Sequence, residues 1–462
     1  MVAAMSINWI EIDSETSRIR AALVNAGLHT FSEAETKLAA SRLSLVLGAD
    51  AARTPAGQAA FLTATVTGVR CFGEVTIHGP LDQPLLFPLP MAAKSLAEAA
   101  TFFGAQESQV LPSGRSVLIG CELEAARGWS VEAFWNGWIA GVAPGRKPVA
   151  IGRGDCALAG IAAGALAVGQ AFLAEQGHPR AGKTVQHLSL WTPELGEQGG
   201  HQLGPRLGEV YLPTGLWLVG LGNLGQAYLW SLTLLPYARP EEVLLFLQDD
   251  QHIRKENWGT SILVQRGRYG TLKTRVAEEW ATERGFQVRR IDRRLDENLL
   301  RSELEPGIAL VGLDSMPARR LLGRRGFEYV IDAGLGATVT DYRKLRINVF
   351  DSTSNPTDHF QDVEDQTAQV ARELMQLSSY QELAHNRGDG GCGAAMLAER
   401  SVAVPFVSAV AGALAITQAI RIASGQAHHL AVTGDLGDLA NTRATLGQTP
   451  RRITVPNMLS AS

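Results

Sequence analysis

The chain has 462 residues, 45% of them hydrophobic and 19% charged, which is typical of globular proteins and excludes a disordered chain. The length predicts two domains, and the formal net charge of −4 excludes a chain-wide basic surface for nucleic acid. In the first half, short apolar runs alternate with helical patterns. The predicted elements are, in chain order, a strand at 42–50, a helix at 55–67, a strand at 74–79, a helix at 91–103, a strand at 116–122 and a helix at 155–175.

The second half shows the same alternation more strongly. Strands that alternate with helices form mostly parallel sheets covered by helices, so the pattern predicts the α/β class. The predicted strands are 216–222, 242–250, 287–292, 308–314, 329–334 and 344–351. The predicted helices are 224–235, 271–285, 315–325 and 403–424. The last of these is small-residue-rich and is expected to be a buried helix.

Two short segments occur twice in the chain. AGALAVGQA at 163–171 matches AGALAITQA at 411–419 in seven of nine positions. VLIGCELEAAR at 117–127 aligns with ALVGLDSMPAR at 309–319, at an offset of 192 residues where the first pair has 248. Alanine-rich helices resemble one another by chance, but two matches in the same order and context indicate a duplicated domain.

The two copies differ in length before the closing helix. We place the domains at 1–205 and 206–462, and only the second contains the polar segment 352–392, interpreted as an insertion. This segment ends in NRGDGGCGAAML, where Cys392 is expected in a glycine-rich loop ahead of a helix. A cysteine in such a loop either occurs there by chance, without a function, or has a thiol that is a metal ligand or a nucleophile.

The cysteines and the termini bear on the compartment. Four cysteines without a CxxC pair predict a reducing compartment, the cytoplasm, and argue against a four-thiolate zinc site. The N-terminus lacks a signal-peptide pattern, and no apolar stretch approaches the roughly 20 residues of a membrane span. We therefore expect no membrane association.

A glycine loop follows the first strand of the second copy. Gly220, Gly222 and Gly225 have GxGxxG spacing, which lets the backbone turn tightly and approach a phosphate at a helix N-terminus. Alone the pattern is weak, since an ordinary strand–helix turn or a nicotinamide-dependent oxidoreductase would show it. The first copy keeps only Gly48 at this turn and is interpreted as nucleotide-free.

Polar residues after the second strand favour a triphosphate over a nicotinamide. Asp249 and Asp250 end that strand, where a carboxylate can hold ribose hydroxyls. Asn257 and Lys273 follow, and Lys273 is a charge partner suited to phosphate oxygens rather than to hydride transfer.

A third strand end carries Asp314, where the first copy has Glu122. Its carboxylate can hold Mg²⁺ against the phosphates, and Arg319, about one helical turn further, is placed to orient it. Taken singly, Lys273 and Arg319 are ordinary surface charges. Together at strand ends around a glycine loop, they predict a nucleotide site.

These motifs resemble a known family. Residues 216–425 resemble the adenylation domain of ubiquitin-activating enzymes and of the related ThiF and MoeB adenylyltransferases, which activate sulfur-carrier proteins. The shared features are the glycine loop, an Asp–Asn–Lys series, GLDSMPAR, VIDAGLGA and a closing apolar helix. The resemblance implies two Rossmann-like adenylation-type domains in tandem, the N-terminal one degenerate.

The resemblance also implies roles for the polar residues. Asp249, with Asp250 as the alternative, would bind the ribose of ATP. Asn257 and Lys273 would hold the triphosphate, and Asp314 would bind Mg²⁺. ATP and Mg²⁺ are therefore the expected cofactors.

Pairing of an inactive with an active adenylation domain is similar to ubiquitin-type activating enzymes, including those of bacterial antiviral conjugation operons of the Bil type. This implies a ubiquitin-like protein and a ubiquitin-conjugating-type enzyme as partners, and no nucleic acid. The expected reaction is adenylation of the ubiquitin-like C-terminus, then a thioester on Cys392. Cys71, Cys121 and Cys156 lie in or beside apolar elements, where cysteine is usually buried.

The chain departs from the family at Thr260 and Ser261, where arginine and glutamine are usual. Arg266 or Arg268 is a candidate for the missing charge, and Arg18 or Arg20 for an arginine from the inactive domain. Alternatives remain open at this point: a sulfur-carrier or peptide adenylyltransferase without a transferable thioester, and a non-catalytic nucleotide-binding scaffold.

Overall fold

The structure is a computed structural model that describes residues 14–24, 30–110, 114–121, 128–145, 152–195, 203–336, 341–361, 367–387, 392–398, 402–447 and 459–460. The helices of the first half are α1 (Ser17–Val24), α2 (Phe31–Ala40), α3 (Pro55–Cys71), α4 (Leu96–Phe103) and α5 (Ala157–Glu175). Its strands are β1 (Arg42–Leu47), β2 (Glu74–His78), β3 (Gln106–Glu107), β4 (Arg115–Ile119), β5 (Ser130–Asn136), β6 (Ile139–Pro144) and β7 (Gln186–Ser189).

The second half has more elements. Its helices are α6 (Asn223–Thr233), α7 (Lys273–Glu283), α8 (Met316–Leu321), α9 (Pro356–His359), α10 (Thr367–Leu374), α11 (Ser378–Arg387), α12 (Cys392–Ala398) and α13 (Pro405–Ala423). Its strands are β8 (Tyr211–Leu212), β9 (Gly215–Val219), β10 (Leu244–Gln248), β11 (Gln287–Ile291), β12 (Ile308–Val311), β13 (Tyr329–Leu335), β14 (Lys344–Phe350), β15 (His429–Asp435), β16 (Arg443–Leu446) and β17 (Leu459–Ser460).

Both halves contain the same type of sheet. The strand order is β3-β2-β1-β4-β5-β6-β7 in the first half and β11-β10-β9-β12-β13-β14-β15-β16 in the second. In each sheet the first five strands are parallel, and the later ones are antiparallel. The predicted fold class, α/β with two Rossmann-like domains in tandem, is confirmed.

The repeated sequence AGALA has a packing role in both copies. A β-carbon placed on Gly164 of α5 would lie 2.2 Å from the carbonyl oxygen of Ala60 in α3. A β-carbon on the matching Gly412 of α13 would lie 2.8 Å from the carbonyl oxygen of Ala227 in α6. Each copy therefore needs a glycine where its closing helix crosses the helix after its first strand.

Helices α5 and α13 also pack against each other. The rings of Phe172 and Phe406 lie 5.6 Å apart there, within a cluster of buried side chains that both halves share. Each helix has 19 residues and is long and apolar enough to cross a membrane, contrary to the sequence-based statement that no stretch approaches this length. However, 94% and 100% of their apolar windows are buried inside the fold, as predicted for the closing helix.

The described parts of the inserted segment form the short helices α9 to α12. Residues 351–404 connect β14 to α13, whereas residues 145–156 make the equivalent connection in the first half. The buried ring of Tyr380 in α11 lies edge-on to Phe31 of α2, with the ring centres 5.1 Å apart, which anchors the insertion on the first half. The prediction that Cys392 lies in a loop is wrong, because it is the first residue of α12. Residues 388–391 lie outside the described residues.

Candidate functional site

The glycine loop joins β9 to α6, and its three glycines differ in what they require. Gly220 has φ of +84°, a left-handed conformation that favours glycine. A β-carbon on Gly225 would lie 2.0 Å from the carbonyl oxygen of Gly220, so only glycine fits there. Gly222 is uncrowded, since the nearest atom to its β-carbon position is Nζ of Lys273, 4.0 Å away. The open face of the loop therefore lies on the side of Lys273.

Lys273 is brought to this loop by a local pairing of two segments. It is the first residue of α7, and its backbone N–H donates to the carbonyl of Gln251 at 3.0 Å. Its Nζ donates to Oε1 of Gln251 at 2.6 Å, and only 7% of the residue is exposed. An antiparallel bridge between His252 and Leu272 supports this arrangement. Gln251 was not singled out from the sequence, although it follows the strand-end aspartates directly.

The carboxylate of Asp249 holds the glycine loop against the end of β10. Its Oδ2 accepts a 2.7 Å hydrogen bond from the backbone N–H of Leu221, and its Oδ1 accepts one of 2.8 Å from that of Gln251. Asp250 is exposed and lies 3.8 Å from Arg294 in a long ion pair. The ribose-binding role predicted for one of these aspartates stays a prediction.

Asn257 ends a single 3-10 turn after β10. Its Oδ1 accepts a hydrogen bond from the backbone N–H of Arg254 at 2.8 Å, and its carbonyl accepts one from that of Ser261 at 2.8 Å. Thr260 and Ser261 are buried, with 2% and 1% exposed. The predicted triphosphate ligand therefore begins a tightly folded segment.

The arginines proposed to replace the missing charge are engaged elsewhere. Arg266 pairs with Glu15 at 2.8 Å and stacks on Trp258, with the guanidinium 4.1 Å from the ring centre. Arg268 pairs with Glu279 at 2.5 Å. Neither contact is with the glycine loop.

Residues 14–16, just before α1, lie against this part of the second half. A β-carbon on Gly259 would lie 2.3 Å from the carbonyl oxygen of Glu15. Of the two arginines considered from the first half, Arg20 is buried and pairs with Glu35 at 3.2 Å. Arg18 is half-buried on the same helix.

Asp314 lies just beyond β12, close to the loop. The backbone N–H of Gly312 donates to the carbonyl of Val219 at 2.9 Å, which places the two strand ends side by side. Asp314 is exposed and makes no hydrogen bond or ion pair with any described residue. Glu122, its counterpart in the first copy, lies outside the described residues.

Arg319 donates hydrogen bonds to the residue before Asp314 and not to Asp314 itself. Its Nε and Nη2 donate to the carbonyl of Leu313 at 2.9 and 2.7 Å, and its Nη1 lies 3.3 Å from the carboxylate of Asp332. Burial raises the pKa of Asp332 to about 6, and Arg319 opposes that shift. The predicted nucleotide contact of Arg319 stays a prediction.

Asn223, the first residue of α6, was missed by sequence reasoning. Both polar atoms of its side-chain amide are buried, and neither has a hydrogen-bond partner among the described residues. Buried amides are almost always hydrogen-bonded in native proteins, so this amide at a helix N-terminus has hydrogen-bonding capacity that a ligand could satisfy. Its only sequence signal is its position inside the GxGxxG pattern.

Three of the four cysteines are poor nucleophiles. Cys71 and Cys156 are buried and Cys121 is half-buried. Burial raises the pKa of the Cys121 thiol to about 11 and that of Cys156 to about 12, and it raises that of Cys71 further. The side chain of Cys392 lies outside the described part of the chain.

Comparisons with known proteins identify the family. Residues 42–190 match the family described as BilD N-terminal domain, and residues 212–426 match BilD C-terminal domain. The chain is 34% identical over 390 residues to the bacterial E1-like protein BilD of Collimonas sp. (strain OK412), covering 82% of each chain. The chain belongs to the BilD family. As a BilD-family chain it is an E1-like protein.

Among solved structures, the BilD-family chain is distantly similar to MccB of E. coli. For the structure with MccA-N7isoASN the identity is 14% and the TM-score 0.35, over 52% of this chain and 66% of that one. For the structure with ATP the identity is 14% and the TM-score 0.35, over 54% and 68%.

Proposed function

We propose that this BilD-family chain activates the C-terminal carboxylate of a ubiquitin-like protein by ATP-dependent adenylation in its second half. The observation that carries the proposal is the cradle formed by the uncrowded Gly222, the orphaned amide of Asn223 and Nζ of Lys273 at the N-terminus of α6. Backbone N–H groups and a helix dipole at such a terminus favour a phosphate, and an adjacent lysine supplies a compensating charge.

In the proposed reaction, a carboxylate oxygen of the ubiquitin-like protein forms a bond to the α-phosphorus of ATP. The bond from that phosphorus to the bridging oxygen breaks, and pyrophosphate leaves with the electron pair. Lys273 and Asn257 hold the triphosphate, and the carboxylate of Asp249 holds the glycine loop in place through its hydrogen bond from Leu221. Mg²⁺ held by Asp314 would neutralise charge on the phosphates. Within the described residues no cluster of three or more metal-ligating side chains occurs, so the phosphates would supply the remaining ligands.

The second proposed step is thioester formation on Cys392. Its thiolate attacks the carbonyl carbon of the acyl-adenylate, the bond to the phosphate oxygen breaks, and AMP leaves. The raised pKa values of Cys71, Cys121 and Cys156 support Cys392 as the nucleophile, because a protonated thiol reacts poorly. The thioester would then pass to a ubiquitin-conjugating-type enzyme.

The test is to incubate the protein with ATP, Mg²⁺ and a ubiquitin-like protein, and to measure pyrophosphate exchange and a reducible adduct. We expect Cys392→Ala to retain exchange and lose the adduct, whereas Cys121→Ala retains both. An adduct that persists in Cys392→Ala would contradict the assigned nucleophile. Exchange without an adduct in the wild type would instead favour a sulfur-carrier or peptide adenylyltransferase.

A further inference from the structure

A buried arginine of the first half reaches into the second half. Arg70 of α3 donates from Nε to the carbonyl of Ser261 at 3.1 Å, and from Nη2 to those of Ile262 and Val264 at 2.8 and 2.9 Å. A fourth bond, from Nη1 to Val66, stays within α3. Only 1% of Arg70 is exposed, so these carbonyls replace water around its guanidinium.

The contacted segment is also held from the glycine-loop side. The backbone N–H of Leu263 donates to Oε1 of Gln226 in α6 at 2.9 Å. Nε2 of Gln226 in turn donates at 3.2 Å to the carbonyl of Leu221, inside the glycine loop. A continuous path of hydrogen bonds therefore runs from Arg70, through residues 261–264 and Gln226, to the loop.

Stability alone does not explain a cation at this position. Within the described part of the chain no carboxylate pairs with Arg70, and burial lowers the pKa of its guanidinium to about 9, still above neutral pH. A buried charge costs free energy that an apolar side chain of similar size would not. Its planar fork is suited to contacting several carbonyls at once, which a lysine ammonium cannot reproduce.

We infer that Arg70 is a positioning residue through which the nucleotide-free first half sets the shape of the glycine loop and of the Asn257 turn for ATP. The inference rests on the proposed function of the second half. Among the described residues the hydrogen bonds of Arg70 all go to backbone carbonyls, so its proposed role is to position these segments and not to bind the nucleotide itself. The degenerate copy then has a role in ATP binding without a site of its own.

The same region has a second support from the first half. Phe103 of α4 stacks on Trp280 of α7, with the ring centres 6.4 Å apart and the planes 14° apart, and α7 begins with Lys273. Trp230 of α6 lies edge-on to both rings. The helix after the glycine loop and the helix that carries the lysine thus both rest on the first half.

The test compares Arg70→Met and Arg70→Lys with Arg421→Met in the full chain. Arg421 is a matched control, because it is a buried arginine that also bonds carbonyls, those of Ala427 and Trp191, away from the loop. The readouts are the dissociation constant for ATP with Mg²⁺, and hydrogen exchange of peptides covering 220–226 and 257–264.

We expect Arg70→Met to weaken ATP binding by about tenfold or more and to speed exchange in both peptides, with Arg70→Lys intermediate. Arg421→Met should leave the dissociation constant for ATP and the hydrogen exchange of these peptides unchanged. If Arg70→Met does not fold, Arg70→Lys decides the question. If the Arg70 variants bind ATP with wild-type affinity, or if Arg421→Met loses as much affinity for ATP as they do, this inference is wrong while the proposed function still stands. Absence of ATP binding in the wild type overturns the proposed function, and this inference with it.

Discussion

Nζ of Lys273 donates to Oε1 of Gln251 at 2.6 Å, which holds the ammonium group beside the uncrowded face of Gly222. The side chain is therefore ordered by a neutral partner and not by a carboxylate. Its positive charge remains available to a phosphate, and less side-chain freedom is lost when one binds.

Substitution of Lys273 should impair adenylation far more than folding. We expect Lys273→Met to lower kcat/KM for carrier-dependent pyrophosphate exchange by about 10²- to 10³-fold, because a preorganised cation at the reacting phosphates is lost. Lys94→Met, at an exposed position of the first half, is the control and should have wild-type activity. Near-normal exchange in Lys273→Met would contradict the assigned role.

Substitutions of the two neighbouring aspartates should differ in their effects on stability and on ATP binding. Asp249→Asn leaves one of two backbone N–H groups, that of Leu221 or that of Gln251, facing another donor, so we expect a loss of about 1–3 kcal/mol in the free energy of unfolding, with weaker ATP binding. Asp250→Asn should change neither by much, since Asp250 is exposed. Weaker ATP binding in Asp250→Asn with unchanged stability would instead make Asp250 the ribose ligand.

Replacing the glycine of the second AGALA repeat by alanine should destabilise the fold. In an uncrowded helix a change from glycine to alanine stabilises by about 1 kcal/mol. For Gly412→Ala we expect the opposite sign, a loss of about 1–3 kcal/mol, because the new β-carbon meets the Ala227 carbonyl. Gly215→Ala, whose β-carbon would have no neighbour closer than 3.7 Å, is the control in denaturant unfolding.

A buried histidine joins the end of the first half to β15. Nε2 of His429 lies 2.7 Å from the carboxylate of Glu194, and Nδ1 lies 3.2 Å from Oε1 of Gln418. Burial, together with the charge of Arg421, lowers the pKa of His429 to about 4, while Glu194 opposes the shift and His428 adds to it. Between that value and the ordinary histidine pKa of about 6.5, the unfolded chain binds more protons than the folded one.

The free energy of unfolding should therefore fall as the pH falls from about 6.5 towards 4. His429→Gln removes this titration, so its stability should decline less over the same interval, by up to about 3 kcal/mol. The measurement is urea unfolding of both proteins at pH 7 and pH 5, an interval in which about 2 kcal/mol of this difference should develop. Parallel pH dependences would show that His429 does not titrate in this way.

Much of the second half could be predicted because its signals are local. Apolar runs bounded by glycines gave the parallel strands, and the spacing of Gly220, Gly222 and Gly225 located the loop. The hairpin of β5 and β6 was missed although Gly137, with φ of +58°, begins the two-residue turn that joins Asn136 to its strand partner Ile139, and glycine at that position is typical of hairpin turns. That signal was present in the sequence.

Other parts of the site could not be read from the sequence. Arg70 and Ser261 meet only because two domains pack together, and no spacing rule connects positions so distant in the chain. Gln251 was overlooked because its role depends on the bridge between His252 and Leu272. Cys392 was placed in a loop because glycine-rich sequence favours loops, whereas α12 is one of several short helices packed within the insertion.

The most direct test of the account is ATP–pyrophosphate exchange measured with a purified ubiquitin-like protein, with its variant that lacks the C-terminal residue, and without any carrier. The account predicts exchange only with the intact carrier, and its loss in Lys273→Met but not in Cys392→Ala. Exchange that is independent of the carrier's C-terminus, or none with any ubiquitin-like protein, would contradict it.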